Sequence, residues 1–264
     1  MRQSLVAVTR PVSASINECE LTHLDREPID LERARQQHAA YERALEDAGC
    51  AIVRLEEAAD LPDSVFVEDT AIVFDEVAIV TRPGAETRRP ETHPVAELLR
   101  GYRAVRRIET PATLDGGDVL VAGRMVFIGQ SRRTNDDAAA QIRSTLEPLA
   151  YEIHMVPVTG CLHLKSAATA IGENRLLINP AWVEPDAFPG FDLIETHPLE
   201  PSAANVLRVD RQLICADRFP RTRERLEREG FVVQSVDLSE LAKAEGAVTC
   251  CSLVFPIQPN FTKR

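Results

Sequence analysis

Four short polar segments interrupt otherwise apolar stretches of this chain: Asp63-Ser-Val-Phe-Val-Glu68-Asp69, Leu114-Asp115-Gly-Gly-Asp118, Leu162-His163-Leu164-Lys165-Ser166 and Thr249-Cys250-Cys251-Ser252. Between them they hold a thiol, an imidazole and several carboxylates. A thiol beside a histidine is a nucleophile with its proton carrier, and surrounding carboxylates favour a cationic substrate over an acyl group. Taken singly, each segment has a plain reading. Gly and Asp make ordinary turns, a histidine between leucines packs in cores, and most cysteines are small hydrophobes. That core reading is kept for Cys19, Cys50, Cys161 and Cys215. Glu68 and Asp69 differ because they break an apolar run from Val65 to Val73, which buries at least one of them. A buried carboxylate needs a cation or several donors to stay charged.

The elements that position these segments recur along the chain. Thr70–Phe74 is followed by Val77–Thr81, Asp118–Ala122 by Met125–Gly129, Ala168–Ile171 by Leu176–Asn179, and Ala204–Val209 by Gln212–Cys215. Each pair is a β-branched run, a turn of Gly, Asn, Asp, Glu or Arg, and a second run, the signature of a β-hairpin. Starting at 70, 118, 168 and 204, they repeat every 35–50 residues or roughly so, which indicates repeated units. The unpartnered runs Leu5–Val8 and Cys251–Phe255 can pair and close a ring with a fifth unit. Helices fall between the hairpins. Apolar residues recur at spacings of three and four from Leu31 to Ala48, with Gly49 as the stop. Thr92 is expected to cap a helix ending at Gly101, Asn135 one spanning Asp136–Leu149, and Pro220 to open one ending at Gly230. A ring has a centre, and all four polar segments stand just before the first strand of a unit. No linker or domain boundary interrupts residues 1–264, so one domain is expected. Arg88 and Arg133 lie in Arg-rich stretches after second strands, whose default reading is a solvated surface.

Composition narrows the classes. The 264 residues carry 41 acidic and 30 basic side chains, a formal charge of −11 that repels phosphate backbones and anionic lipid. Nucleic-acid and membrane partners are therefore not expected. Met1–Arg10 is too short and too soon broken for the apolar core of a signal peptide. The six cysteines follow no zinc or disulfide spacing and read as reduced thiols, so a cytoplasmic location is expected.

In these segments the chain resembles the dimethylarginine dimethylaminohydrolase family of the guanidino-group-modifying superfamily. The matching stretches are 61–70, 79–85, 113–119, 131–135, 162–166 and 248–252, in family order. The resemblance implies a pentein fold, a five-bladed pseudo-symmetric α/β propeller of ββαβ units around a central active site. It implies hydrolysis of Nω-methylated arginine, whether asymmetric dimethylarginine or monomethylarginine, to citrulline and dimethylamine or methylamine through a covalent thiouronium. By family pattern Cys250 looks like the nucleophile, His163 the general acid/base and Asp115 the third catalytic carboxylate, shorter than the Glu of some members. Asp63, Glu68 and Asp69 look like contacts to the substrate's guanidinium and amine. Arg88 and Arg133 look like the grip on its α-carboxylate, Leu21 a lid residue and Ala244 a backbone carbonyl contact. No metal or organic cofactor is implied, although zinc at Cys250 and His163 can inhibit. The expected partner is the small-molecule substrate, on a monomer or homodimer.

A free thiol near pKa 8.5 is only a few per cent ionised at neutral pH. A guanidinium about 4 Å away, at an effective dielectric of ~20, favours the thiolate by roughly 4 kcal/mol, about a thousandfold. The expectation is a resting thiol that ionises when substrate binds. The competing readings are a related guanidine hydrolase such as an arginine deiminase, a non-catalytic pentein binding protein and, least favoured, a Cys-His protease.

Overall fold

The computed structural model describes residues 4–258. Fifteen strands form five separate three-stranded sheets. Blade I joins the two ends of the described chain: β1 (Leu5–Thr9) pairs antiparallel with β15 (Leu253–Pro256) and parallel with β2 (Cys50–Arg54). Blade II is β3 (Ala71–Val73), β4 (Val77–Val80) and β5 (Ala104–Arg107). Blade III is β6 (Val119–Ala122), β7 (Met125–Gln130) and β8 (Glu152–Pro157). Blade IV is β9 (Ala168–Ala170), β10 (Arg175–Ile178) and β11 (Asp192–Glu195). Blade V is β12 (Leu207–Val209), β13 (Gln212–Ala216) and β14 (Val232–Val236). In blades II to V the first two strands are the hairpins read from sequence, and a crossover returns a third strand parallel to the second.

The expected ring closure is present, with Leu5 opposite Pro256 and Val8 opposite Leu253. The closing strand starts later than its apolar run, at Leu253, because Cys250 and Cys251 lie in the preceding turn. The third strands are the outer ones and carry few fully buried residues; Ala104-Val-Arg-Arg107 has none. Charge on such an edge discourages pairing with another chain.

The crossovers are α1 (Leu31–Asp47), α2 (Thr92–Leu99), α3 (Asp136–Leu146) and α5 (Pro220–Arg228). Asp30 caps α1 by accepting from the Arg33 amide, and Gly49, at φ +99°, turns the chain into β2. Asn135 caps α3 by accepting from Ala138. Two expectations are corrected. Thr92 is not a cap: α2 continues from a 3-10 turn at Glu86–Glu91, and the Thr92 hydroxyl donates to the Arg89 carbonyl. Helix α3 tightens to a 3-10 turn at Glu147–Leu149, where Pro148 supplies no amide. Blade IV departs from a uniform ββαβ repeat, with only a 3-10 turn at Pro185–Ala187 in its crossover.

Apolar packing lies between blades. One buried cluster joins blade I to V through Tyr41, Leu45, Ile214 and Leu241, and another joins I to II through Val8, Phe255, Val95 and Leu99. Corresponding clusters join II to III, III to IV and IV to V. The inner strands β15, β3, β6, β9 and β12 line a central channel. Each is preceded by a turn, and those five turns meet at the end of the channel. No described helix is long and apolar enough to cross a membrane, and all six cysteines are free thiols.

Candidate active site

Four of the five turns deliver the chemical groups. Asp69 sits in a 3-10 turn at Val67–Thr70 ahead of β3, and Asp115 directly precedes the 3-10 turn Gly116–Asp118 ahead of β6. His163 stands before α4 (Leu164–Ala167) ahead of β9, and Cys250 lies in the turn before β15. The fifth turn supplies Asn205, which exchanges two hydrogen bonds with Thr249 at 2.9 and 3.0 Å and donates to the Lys165 carbonyl. It braces the Cys250 turn. A small cavity is lined by Asp63, Asp69, Arg88, Arg133, His163, Ala244 and Cys250, together with Glu20, Phe66, Leu162, Glu245 and Gly246.

His163 is buried, its Nε2 3.0 Å from Asp115 Oδ2 and its Nδ1 3.8 Å from Asp69 Oδ1. Burial opposes its charged form, yet Asp69, Asp115 and Asp118 together lift its pKa to about 9. The resting side chain is an imidazolium. Burial, then Glu68 and Asp69, push the Cys250 thiol well up. The unliganded pair is therefore thiol and imidazolium at neutral pH. Asp69 is held down to about 2: burial resists, and His163, Arg88 and the Gly117 amide overcome it.

The paired glycines of the Asp-Gly-Gly-Asp segment permit this closeness. A Cβ on Gly117 would lie 2.5 Å from His163 Nδ1 and 2.8 Å from Asp69 Oδ1, and one on Gly116 would lie 2.0 Å from the Glu68 carbonyl oxygen. Asp118 at the end of the segment accepts from Ser131, Thr134 and the Leu164 amide. It thereby ties the loop after β7 to the turn carrying His163.

The remaining candidates divide. Arg88 is buried, not solvated, because Asp69 at 2.7 Å and Glu91 at 2.9 Å neutralise it and the Phe66 carbonyl accepts a further bond. Sharing one guanidinium, the two carboxylates separate: burial, only partly offset by Arg88, pushes Glu91 up to about 7. Arg133 is also mostly buried, 3.8 Å from Asp115 Oδ2 and donating to the Thr22 hydroxyl at 2.9 Å. Asp63 accepts from the Glu20 amide, and burial raises its pKa. Glu68 turns towards the channel, where Lys165 and the Thr249 hydroxyl occupy its two oxygens. Leu21 packs on the cluster between blades I and V, and Ala244 lies in the cavity wall. Asp69, Asp115 and His163 bring donor atoms within 4.8 Å of one another; Cys250 is not in that set. A metal there would have to displace the imidazolium proton.

The family model for N,N dimethylarginine dimethylhydrolase, eukaryotic, matches residues 7–186. The N(G),N(G)-dimethylarginine dimethylaminohydrolase of Streptomyces coelicolor is 41% identical over 249 residues, 94% of this chain and 95% of that protein. The chain belongs to the dimethylarginine dimethylaminohydrolase family. The member from Pseudomonas aeruginosa is 37% identical over 257 residues, 97% of this chain and its whole length at 100%. A solved structure of a Cys-to-Ser variant of dimethylarginine dimethylaminohydrolase from Pseudomonas aeruginosa, complexed with citrulline, superposes with a TM-score of 0.89 at 37% identity, covering 94% of this chain and 98% of that one. The N-terminal domain of ArgZ, a cyanobacterial arginine dihydrolase, shares the fold, with a TM-score of 0.85 at 20% identity over 95% of this chain and 97% of that one. The propeller is the pentein fold.

Several residues around the cavity were given no role from sequence. Lys165, Thr249 and Asn205 bond across blades, the partner of Glu91 is Arg88 in the same 3-10 turn, and Glu245 lies in a loop with no motif of its own. The paired glycines were the available clue.

Proposed function

We propose that this member of the family hydrolyses Nω-methylated arginines, asymmetric dimethylarginine and monomethylarginine, to citrulline with release of dimethylamine or methylamine, and that the whole ring acts as one catalytic domain. The observation that carries this reading is one small cavity in which a thiol, an imidazolium and buried carboxylates meet. The substrate is a delocalised cation at one end and an amino acid at the other. Asp69 takes the guanidinium, with Glu68 adding negative charge from the channel side. Asp63 takes the α-amine with the Ala244 carbonyl, Leu21 belongs to the covering segment, and Arg133 takes the α-carboxylate with Arg88 behind Asp69.

The resting protonation state suits the order of events. Arrival of the guanidinium compensates the acidic field that raises Cys250, and the thiol proton leaves to solvent. The thiolate attacks the guanidinium carbon, forming a C–S bond. His163, held by Asp115 at Nε2, gives its proton from Nδ1 to the departing amine as the C–N bond breaks. A thiouronium on Cys250 remains. Neutral His163 then takes a proton from water, hydroxide adds to the same carbon, and the C–S bond breaks; the added hydroxyl gives up its proton to solvent as citrulline forms, and the released thiolate takes one back to restore the resting thiol. The chemistry needs no metal or organic cofactor, and zinc acts only as an inhibitor that competes with the proton on His163.

The test is to incubate the protein with asymmetric dimethylarginine and assay citrulline and dimethylamine separately. Equal amounts of both are expected. Citrulline with ammonia from arginine, and none from the methylated substrate, would move the protein to the deiminase class; no product from either would overturn the enzymatic reading.

A further inference from the structure

Segment 20–24 runs from the catalytic cavity, which Glu20 lines, to a neighbouring pocket lined by His23 and Leu24; it lies between a 3-10 turn at Ile16–Glu18 and α1 and belongs to no helix or strand. Apolar packing does little to hold it there: Leu21 is only partly buried, and Leu24 is 51% exposed. Polar bonds hold it instead. The Glu20 amide donates to Asp63 and the Thr87 hydroxyl to the Glu20 carboxylate, while Arg133 donates to the Thr22 hydroxyl. The largest share falls on Glu245, whose carboxylate accepts from three consecutive amides, those of Thr22, His23 and Leu24, at 3.1, 2.5 and 2.8 Å. A carboxylate receiving several amides forms charge-assisted bonds, stronger than neutral ones.

The backbone marks the same residue. Glu245 has φ +58°, the left-handed region, where a side chain is disfavoured and glycine is usual. Its neighbour Gly246 has ordinary φ, so the strain falls on the residue that bears the carboxylate. Strain of this kind persists where the surroundings over-determine it, and such positions gather at ligand clamps. Glu245 also lines the cavity, as do His163, Cys250 and its own neighbours Ala244 and Gly246.

We propose that Glu245 is a positioning residue, the latch that fastens segment 20–24 over the bound amino acid and so sets how long substrate stays beside Cys250. This deepens the reading of the same site and rests on it. Opening the latch frees three adjacent amides and leaves Thr22 held through Arg133 alone. Substrate binding and latch closure are thereby coupled, because Arg133 is the proposed carboxylate ligand.

Two variants separate the latch from the strain. Glu245→Gln keeps the strained backbone and loses the charge, whereas Glu245→Gly loses the carboxylate and relieves φ. In both, KM for dimethylarginine should rise about tenfold or more with kcat within about threefold of wild type, since a lost charged hydrogen bond corresponds to at least a decade in binding. Glu245→Asp, which keeps the charge, should recover part of the loss. Without substrate, iodoacetamide should alkylate Cys250 faster in the Gln and Gly variants than in wild type, and the Gly variant should melt no lower than the Gln variant. Unchanged KM and alkylation rate in both variants, or losses that follow melting temperature alone, would overturn the latch. The alkylation readout needs no turnover, so failure of the latch is distinguishable from failure of the hydrolase reading, which would show as wild type without product.

Discussion

Asp115 Oδ2 lies 3.0 Å from His163 Nε2, with both side chains buried, so the shorter of the two acidic residues spans the gap to the imidazole. With its pKa lifted to about 9, His163 should deliver its proton only below that pH, and kcat/KM should fall as pH climbs through about 9. Asp115→Asn should lower kcat by about a hundredfold or more and move that basic limb to lower pH. A pH–rate profile of both proteins checks this; an unmoved limb would detach Asp115 from the imidazole.

The same pair bears on stability. A histidine whose pKa rises from 6.5 to about 9 on folding contributes its full stabilisation below 6.5 and loses it as pH rises through about 9. The stability difference between wild type and His163→Gln, from urea melts, should therefore shrink between pH 6 and pH 10. A difference that grew with pH would mean that the resting imidazole is neutral.

The two adjacent cysteines should behave oppositely. Cys251 is fully buried, its Sγ donating to the Ala247 carbonyl, a bond that a serine hydroxyl can keep. Cys251→Ser should retain most activity and Cys250→Ser almost none. Alkylation of Cys250 should be slow at neutral pH and speed up when a non-reacting guanidinium ligand is added, because the thiol starts well above its usual pKa. An unliganded alkylation pKa near or below neutrality, about 7 or lower, would remove the role of the substrate cation.

Gly117→Ala should damage catalysis without unfolding the ring. Its methyl would sit 2.5 Å from His163 Nδ1, so the imidazole must move. Misplacement by about 1 Å costs about a hundredfold in rate, which kcat would register while melting temperature falls only slightly.

The two arginines should also separate. Arg88→Ala leaves buried Glu91 without its guanidinium and Asp69 with only His163 and the Gly117 amide, and is expected to cost about 3–5 kcal/mol of stability. Arg133→Ala, with only a 3.8 Å approach to Asp115 and one bond to Thr22, should raise KM strongly and leave the melting temperature near wild type. Thermal melts alongside kinetics distinguish the two.

The hairpins, their repeat and the pairing of the chain's two ends were legible from local pattern, because alternation of apolar residues and the turn between them are properties of neighbours in sequence. The third strands were not legible that way. Ala104-Val-Arg-Arg107 is short, charged and outermost, and acquires strand conformation only by lying parallel to β4. The burial of Arg88 was equally hidden: an Arg-Arg pair reads as surface until Asp69, 19 residues away, folds beneath it.

By itself the sequence determined which groups reach the ring's centre, since each stands one turn before an inner strand and the repeat carries every such turn to the same end of the channel. Only the tertiary structure decided what those groups are once there. The proton on His163, the thiol form of Cys250, the turn of Glu68 towards the channel and the grip of Glu245 on segment 20–24 all depend on partners from elsewhere in the chain. Charge in a buried site responds to distance in space, and distances between blades are settled by packing between sheets rather than by order along the chain.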